Sequence, residues 1–384
     1  MESGTRPVRL LELQNERDSL EACSAAGRAV ADENLRGWAA LVPLDPPVVA
    51  EGLKHAGLAV LRGTRSALVL GSLAQLWSAA RSLADALERK EAKAVAETLR
   101  DLAAAVEAGP PAWLLPRSTL PRGRTLIMGV VNVTPDSFSD GGLWQDTGAA
   151  VEHGLRLVAE GADILDVGGE STRPNAAAVS ASDERARVEP AVRELARRAG
   201  VPVSIDTTKS EVAQAALDAG AEIVNDVSGL ARDPLLAQVV ERSGAALCLM
   251  HMRGTPADMQ QRATYADLLG EVLGELGQAL ERASAIPPAR IAIDPGLGFA
   301  KTAAHNLLLL RRLRDLTQLG RPIVAGPSRK AFLGALSGKP PSGRVIGTAA
   351  AACLAARAGA LVVRAHDVAE VREALAVADA VSRS

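Results

Sequence analysis

Eight short apolar runs in the last two thirds of the chain each end in a residue able to carry charge or a hydrogen bond. In order these are Asn132, Asp166, Asp206, Asn225, His251, Asp294, Ser328 with Lys330, and Arg364 with His366. A polar residue after an apolar β-run is often just a helix cap, which accounts for one or two of them but not for eight. Two carboxylates, Asp206 and Asp294, with the amide of Asn225 make an acceptor-rich set that suits a flat heterocycle bearing N–H and NH₂ donors. Arg364 and His366, with Arg173 in a long loop, offer the cationic counterpart, a donor set for phosphate oxygens.

The spacing of these residues predicts the elements that must position them. Apolar runs fall at Leu126–Val133, Asp163–Val167, Val203–Ile205, Glu222–Asn225, Ala245–Met250, Ile291–Ile293, Pro322–Ala325 and Ala360–Val363. Amphipathic helical stretches follow them at Ala149–Glu160, Asp183–Arg198, Ser210–Ala219, Pro234–Arg242, Tyr265–Ala283, Ala303–Leu316, Val345–Ala358 and Val368–Ala380. Eight strand-then-helix units predict an α/β fold, a closed (β/α)₈ TIM barrel, with Asp206 and Asp294 on nearly opposite sides of the ring. An open doubly wound sheet would rarely need eight units without an antiparallel edge.

Residues 1–118 differ in character and are expected to form a smaller, mostly helical or α+β N-terminal domain of unknown role. They are rich in Ala, Leu and Arg, with one β-like run at Ser66–Leu70 and an amphipathic helix over Leu83–Val106. A Pro/Gly cluster from Gly109 to Gly123 marks the boundary, which leaves 119–384 for the barrel.

Composition narrows the classes. The chain has 384 residues, a formal net charge of −2 and 48% hydrophobic residues, so it can bury a core and has no electrostatic reason to bind nucleic acid. Cys23, Cys248 and Cys353 are too scattered for a metal site or a disulfide framework and suit a reducing compartment. No signal peptide and no run long enough to span a bilayer stands out, so a cytoplasmic protein is expected. Aromatics are only 2% of the chain, and all three Phe (Phe138, Phe299, Phe332) are expected in Gly/Pro/Ser-rich turns rather than in the core.

Two loops are long, polar and Gly-rich: Asn132-Val-Thr-Pro-Asp-Ser-Phe-Ser-Asp-Gly-Gly142 and Gly168-Gly-Glu-Ser-Thr-Arg-Pro174, the second within the motif Asp166-Val-Gly-Gly-Glu-Ser-Thr-Arg-Pro174. Gly296–Thr302 lacks the Walker spacing and carries no weight as a phosphate loop. Further motifs are Ser204-Ile-Asp-Thr207, Asn225-Asp-Val-Ser-Gly229, Met250-His-Met, Asp294-Pro-Gly-Leu-Gly-Phe299, Gly326-Pro-Ser-Arg-Lys330 and Arg364-Ala-His-Asp-Val368. Taken in order from about Leu126 to the C-terminus, the sequence resembles the dihydropteroate synthases.

That resemblance implies an enzyme of folate biosynthesis, a transferase joining hydroxymethyl-dihydropterin pyrophosphate to p-aminobenzoate with Mg²⁺ and releasing pyrophosphate. Carried over residue by residue, it gives catalytic roles to Asp206, Asp294, Lys330 and Asp140. Asp206, Asn225, Asp294 and Lys330 would hold the pterin. Thr172, Arg173, Arg364 and His366 would hold the pyrophosphate. Phe138, Pro174, Phe299 and Ser328 would line the p-aminobenzoate pocket, the target of sulfonamides, and Asn132 would ligate Mg²⁺. The resemblance also implies a homodimer through the late barrel helices, with which the Ala-rich Val345–Ala358 stretch is compatible. Departures from the family pattern at Asn175-Ala-Ala-Ala, Pro327 and Arg253 touch none of these residues. A pterin-dependent methyltransferase or a non-catalytic pterin-binding homologue is the alternative; the first would not need the two long loops, and the intact residue set argues against the second.

Overall fold

Four runs in the N-terminal third pair as antiparallel strands in the computed structural model: β1 (Arg9–Leu13), β2 (Gly37–Pro43), β3 (Ala59–Arg62) and β4 (Ser66–Gly71), in the order β1-β2-β4-β3. The structure describes residues 8–13, 22, 37–43, 48–62, 66–87, 90–108, 111–133, 143–172 and 178–383. Three of these strands correct the expectation of a mostly helical segment with a single β-like run. Ala- and Leu-rich stretches such as Gly37–Pro43 have weak intrinsic strand preference, and pairing plus burial overrides it. Leu10, Ala40, Val42 and Val69 share one face and pack with Val49, Leu53, Leu76 and Leu99 of the helices. The helix expected over Leu83–Val106 is two helices, Leu73–Ala86 and Lys90–Ala108, because the backbone at Leu87 turns extended (φ −89°, ψ 126°). The first begins with a reciprocal cap between Ser72 and Gln75.

Contacts divide the chain into two compact units, 1–110 with 314–320, and 111–313 with 321–384. In the first, the Gln318 side chain serves the outer edge of β1. Leu10 N–H donates to Gln318 Oε1 (3.1 Å), and Gln318 Nε2 donates to Leu10 O (3.1 Å), satisfying backbone groups that an edge strand leaves open.

The second unit is a closed barrel of eight parallel strands. These are β5 (Leu126–Asn132), β6 (Ile164–Gly168), β7 (Val203–Asp206), β8 (Ile223–Asp226), β9 (Ala246–Met250), β10 (Ile291–Asp294), β11 (Ile323–Ala325) and β12 (Ala360–Ala365). Every expected apolar run becomes a strand, and a helix follows each. Alternation along the strands sorts their side chains into two sets. Ile127, Val131, Leu165, Val167, Ile205, Leu247 and Val363 pack outward with the helices. Leu126, Met128, Ile164, Ile223, Ala246, Cys248, Ala292, Val324 and Val362 form an inner cluster that also contains Trp113.

Trp113 therefore plugs the N-terminal end of the barrel, its Nε1 donating to Arg290 O (3.0 Å). Leu114 N–H donates to Ala289 O (2.8 Å), and the backbone N–H groups of Arg117 and Ser118 both donate to Glu222 Oε2 (2.9 Å). Phe332 is a correction: it is buried in the helix Ala331–Ser337 rather than placed in a turn. Phe299 is buried with Val227, Met250, Met259 and Ala300. Phe138 and Cys23 lie outside the described residues. No helix among the described residues is long and apolar enough to cross a membrane.

Candidate active site

One layer above the apolar cluster the inward positions turn polar. On β6 the inward residue after Ile164 is Asp166; on β7, β8, β10 and β12 the corresponding residues are Asp206, Asn225, Asp294 and Arg364. Arg364 Nε donates to Asp166 Oδ2 (2.6 Å), and Arg364 Nη2 donates to Asp206 Oδ2 (2.9 Å). Asn225 Nδ2 also donates to Asp166 Oδ2 (3.0 Å). Asp294 Oδ1 accepts the Gly296 N–H (2.6 Å). Asp166 Oδ1 and Ser204 Oγ, side by side across the β6–β7 register, are buried without a hydrogen-bond partner. The barrel thus brings Asp206, Asn225 and Asp294 together as expected. It also adds Asp166, and it bonds Arg364 to the carboxylates of Asp166 and Asp206.

Burial governs the charges here. It pushes the Asp206 carboxyl up to about 7, with Arg364 opposing and Asp166 reinforcing the shift. Burial likewise raises Asp294 to about 6, against the Gly296 N–H and the positive charge of Lys330. Lys330 is lowered to about 8 by burial and by Arg364. Burial also works against the Arg364 guanidinium, but Asp166 and Asp206 hold it firmly protonated.

Lys330 lies past β11 as the N-cap of the helix Ala331–Ser337, its Nζ 4.1 Å from the centroid of the Phe299 ring. Beside it, Ser328 Oγ accepts the backbone N–H of His366 (3.1 Å) and lies 3.0 Å from His366 Nδ1. The two contacts tie the imidazole to the Ser328 hydroxyl through Nδ1 and leave Nε2 as the ring nitrogen not engaged by Ser328. Burial and Arg364 lower His366 to about 3, so the ring is uncharged at neutral pH. Ser328, expected to line the p-aminobenzoate pocket, is thus in contact with His366.

Two left-handed non-glycine residues stand directly before the buried lysines: Ala300 (φ 49°) before Lys301 and Arg329 (φ 57°) before Lys330. Arg329 is held there by a two-pronged pair with Asp367 and by its N–H donating to Thr348 Oγ1 (3.1 Å). Lys301, which the sequence reading passed over with its loop, donates to His251 Nδ1 (2.9 Å) and to Phe299 O (2.9 Å). His251 Nε2 in turn donates to Glu275 (3.0 Å), which Arg253 also binds. His251 is thus a buttress behind the pocket, and burial with Lys301 lowers it to about 4. Two nearby signals could have found Lys301: the Asp294-to-Phe299 motif leads straight into it, and it is a lysine in an otherwise apolar turn.

At the rim, Asn132 ends β5 opposite Gly168 of β6, and Thr172 lies four residues past the end of β6. Asp140, Arg173 and Pro174, like Phe138, fall outside the described residues. Among the described residues no cluster of three His, Cys, Asp or Glu side chains could cage a metal ion. The layer as a whole presents buried acceptors with an arginine bonded among them, a lysine beside them, and an apolar floor. That suits a planar, donor-rich heterocycle held edge-on.

Comparison with known proteins agrees with this geometry. Residues 128–366 match the family of pterin binding enzymes, so the chain belongs to that family. Within it, the relatives are dihydropteroate synthases. The chain is 49% identical over 263 residues to dihydropteroate synthase of Mycobacterium leprae, covering 66% of this chain and 92% of the relative. It is 46% identical to Xanthomonas albilineans dihydropteroate synthase solved with 4-aminobenzoic acid (TM-score 0.64; 68% of this chain, 94% of that one). It is 41% identical to the Yersinia pestis dihydropteroate synthase solved with a sulfonamide drug (TM-score 0.67; 71% and 99%).

Proposed function

We propose that this chain is a dihydropteroate synthase. It condenses hydroxymethyl-dihydropterin pyrophosphate with p-aminobenzoate, giving dihydropteroate and pyrophosphate in folate biosynthesis. The observation that carries this reading is the buried ring of Asp206, Asn225 and Asp294 with Lys330 and Arg364 above an apolar floor.

In this reading Asp206, Asn225 and Asp294 accept hydrogen bonds from the pterin edge, and Lys330 donates to it. The two carboxylates also stabilise positive charge developing at the pterin methylene as the leaving group departs. Thr172, Arg173, Arg364 and His366 take the pyrophosphate, His366 as an uncharged imidazole. Arg364, already between two carboxylates, neutralises charge from inside the pocket. Phe299, with Phe138 and Pro174, forms the wall against which p-aminobenzoate lies, and the aniline nitrogen needs positioning more than activation. A sulfonamide is expected to compete for that wall.

Asn132, with Asp140, is proposed to hold Mg²⁺. A sparse protein set of hard oxygens fits an ion that takes most of its ligands from phosphates and water. When bound, Mg²⁺ neutralises charge on the departing pyrophosphate. The proposal is completed by residence in the cytoplasm, a reducing compartment suited to scattered cysteines, and by a homodimer. Exposed Leu336, Ile346, Leu354, Val377 and Val381 on the late helices support the dimer.

The deciding experiment measures pyrophosphate release by the purified chain with hydroxymethyl-dihydropterin pyrophosphate and Mg²⁺, with and without p-aminobenzoate. Release that requires p-aminobenzoate, with dihydropteroate formed, is expected. Pterin binding without release would instead mark a binding-only homologue, and no pterin binding would sink the pocket assignment.

A further inference from the structure

The second barrel loop leaves β6 at Gly168 and reaches the helix Ala181–Arg198, whose N-cap is Ser180. Its two limbs are fastened at a neck. Glu170 Oε1 accepts the backbone N–H of Val179 (2.9 Å), tying together residues nine apart. Arg187 Nη1 donates to the Gly169 carbonyl (2.9 Å). Gly169 lies so close to the helix that a Cβ there would sit 2.7 Å from Val188 Cγ1 and 3.1 Å from Glu184 Cγ, so only glycine fits.

A lysine from the neighbouring strand joins this neck. Lys209, three residues past Asp206, donates from Nζ to Glu170 Oε2 (2.8 Å) and to Glu184. Glu184 is wholly buried, its Oε1 has no hydrogen-bond partner, and its other oxygen pairs with the Lys209 ammonium. One ammonium group thus connects the segment that carries Asp206, the helix that closes the loop, and the residue two positions before Thr172.

We infer that Lys209 and Glu170 are positioning residues that hold the anion-binding second loop in register with the Asp206 side of the pterin pocket. The inference rests on the function proposed above. Neither residue touches substrate; they act through the loop. A displaced loop neck weakens the grip on pyrophosphate and leaves the pterin acceptors, which stand on the strands, where they are.

The test uses the full chain and compares two probes, 6-hydroxymethyl-dihydropterin and inorganic pyrophosphate. Lys209→Met is expected to raise the pyrophosphate Kd and the KM for the pterin pyrophosphate by roughly tenfold or more, with the pterin Kd within about twofold of wild type. Lys209→Arg should recover most of the loss. Removing the lysine leaves Glu184 buried and uncompensated, so Lys209→Met/Glu184→Gln and Glu170→Gln are measured alongside; the latter keeps an acceptor for Val179 while losing the pair with Lys209. Unchanged pyrophosphate affinity in these variants, or equal weakening of both probes, overturns the inference. A wild-type chain that releases no pyrophosphate from its two substrates overturns the function proposal instead, so the two failures are distinct.

Discussion

The Asp206 carboxylate keeps its charge only by opposing its own burial, and two predictions follow from that tension. Its folded-state value is raised from 3.8 to about 7. A carboxyl shifted upward stabilises the fold where it is protonated, and that contribution is lost as pH rises through about 7. Asp206→Asn is therefore expected to melt at or above the wild-type temperature at pH 8, while turnover falls by about 100-fold or more for want of the charged acceptor. Thermal melts at pH 6 and 8 beside pyrophosphate release check both halves; a large loss of melting temperature would refute the first. The second prediction concerns binding. Because Asp206 and Asp294 protonate near 7 and 6, the acceptor set is lost on acidification, and pterin affinity should fall steadily from pH 8 to pH 5.5 in calorimetry. Asp206, Asn225, Asp294 and Lys330 were legible in the sequence because each stands at the end of an apolar run. Asp166 stood in a recognised motif but received no role, since what gives it one is an inward position shared with Arg364, a residue 198 positions away. Ser328 was legible as a pocket residue, but its bond to His366 depends on how two loops meet.

At the scale of elements, the turn after β10 shows how narrow the tolerances are. Gly296 has φ +69°, and a Cβ on it would lie 2.0 Å from His251 O. Gly296→Ala is expected to cost at least about 1–3 kcal/mol in urea unfolding and to lower kcat/KM, because the N–H that holds Asp294 Oδ1 moves with it. Wild-type stability in that variant would count against the turn's rigidity. The barrel strands were readable because parallel strands buried on both faces are nearly continuous apolar runs. The N-terminal strands were not: β1 and β3 are short, and their Leu- and Ala-rich residues favour helices until a partner strand is present. The break at Leu87 was equally hidden, since no glycine or proline marks it.

At the scale of the molecule, the exposed Ile346, Leu354 and Val377 give the dimer proposal a direct check. Ile346→Asp should shift the chain toward monomer in light scattering, and a wild-type chain that is already monomeric would refute the proposal. The plug at the base of the barrel yields a stability prediction. Trp113→Ala removes a buried ring and the bond to Arg290 O, and is expected to cost about 3–5 kcal/mol in denaturant unfolding with the outward-facing helices intact. The same plug makes the pocket a well with one mouth. In such a well, whatever lies deepest must enter first and leave last. A heterocycle seated on the carboxylates just above the apolar floor, as proposed, would have no exit while a second molecule rested on the Phe299 wall. On the proposed function, binding is expected to be ordered, with the joined product departing as a whole, aminobenzoate end leading.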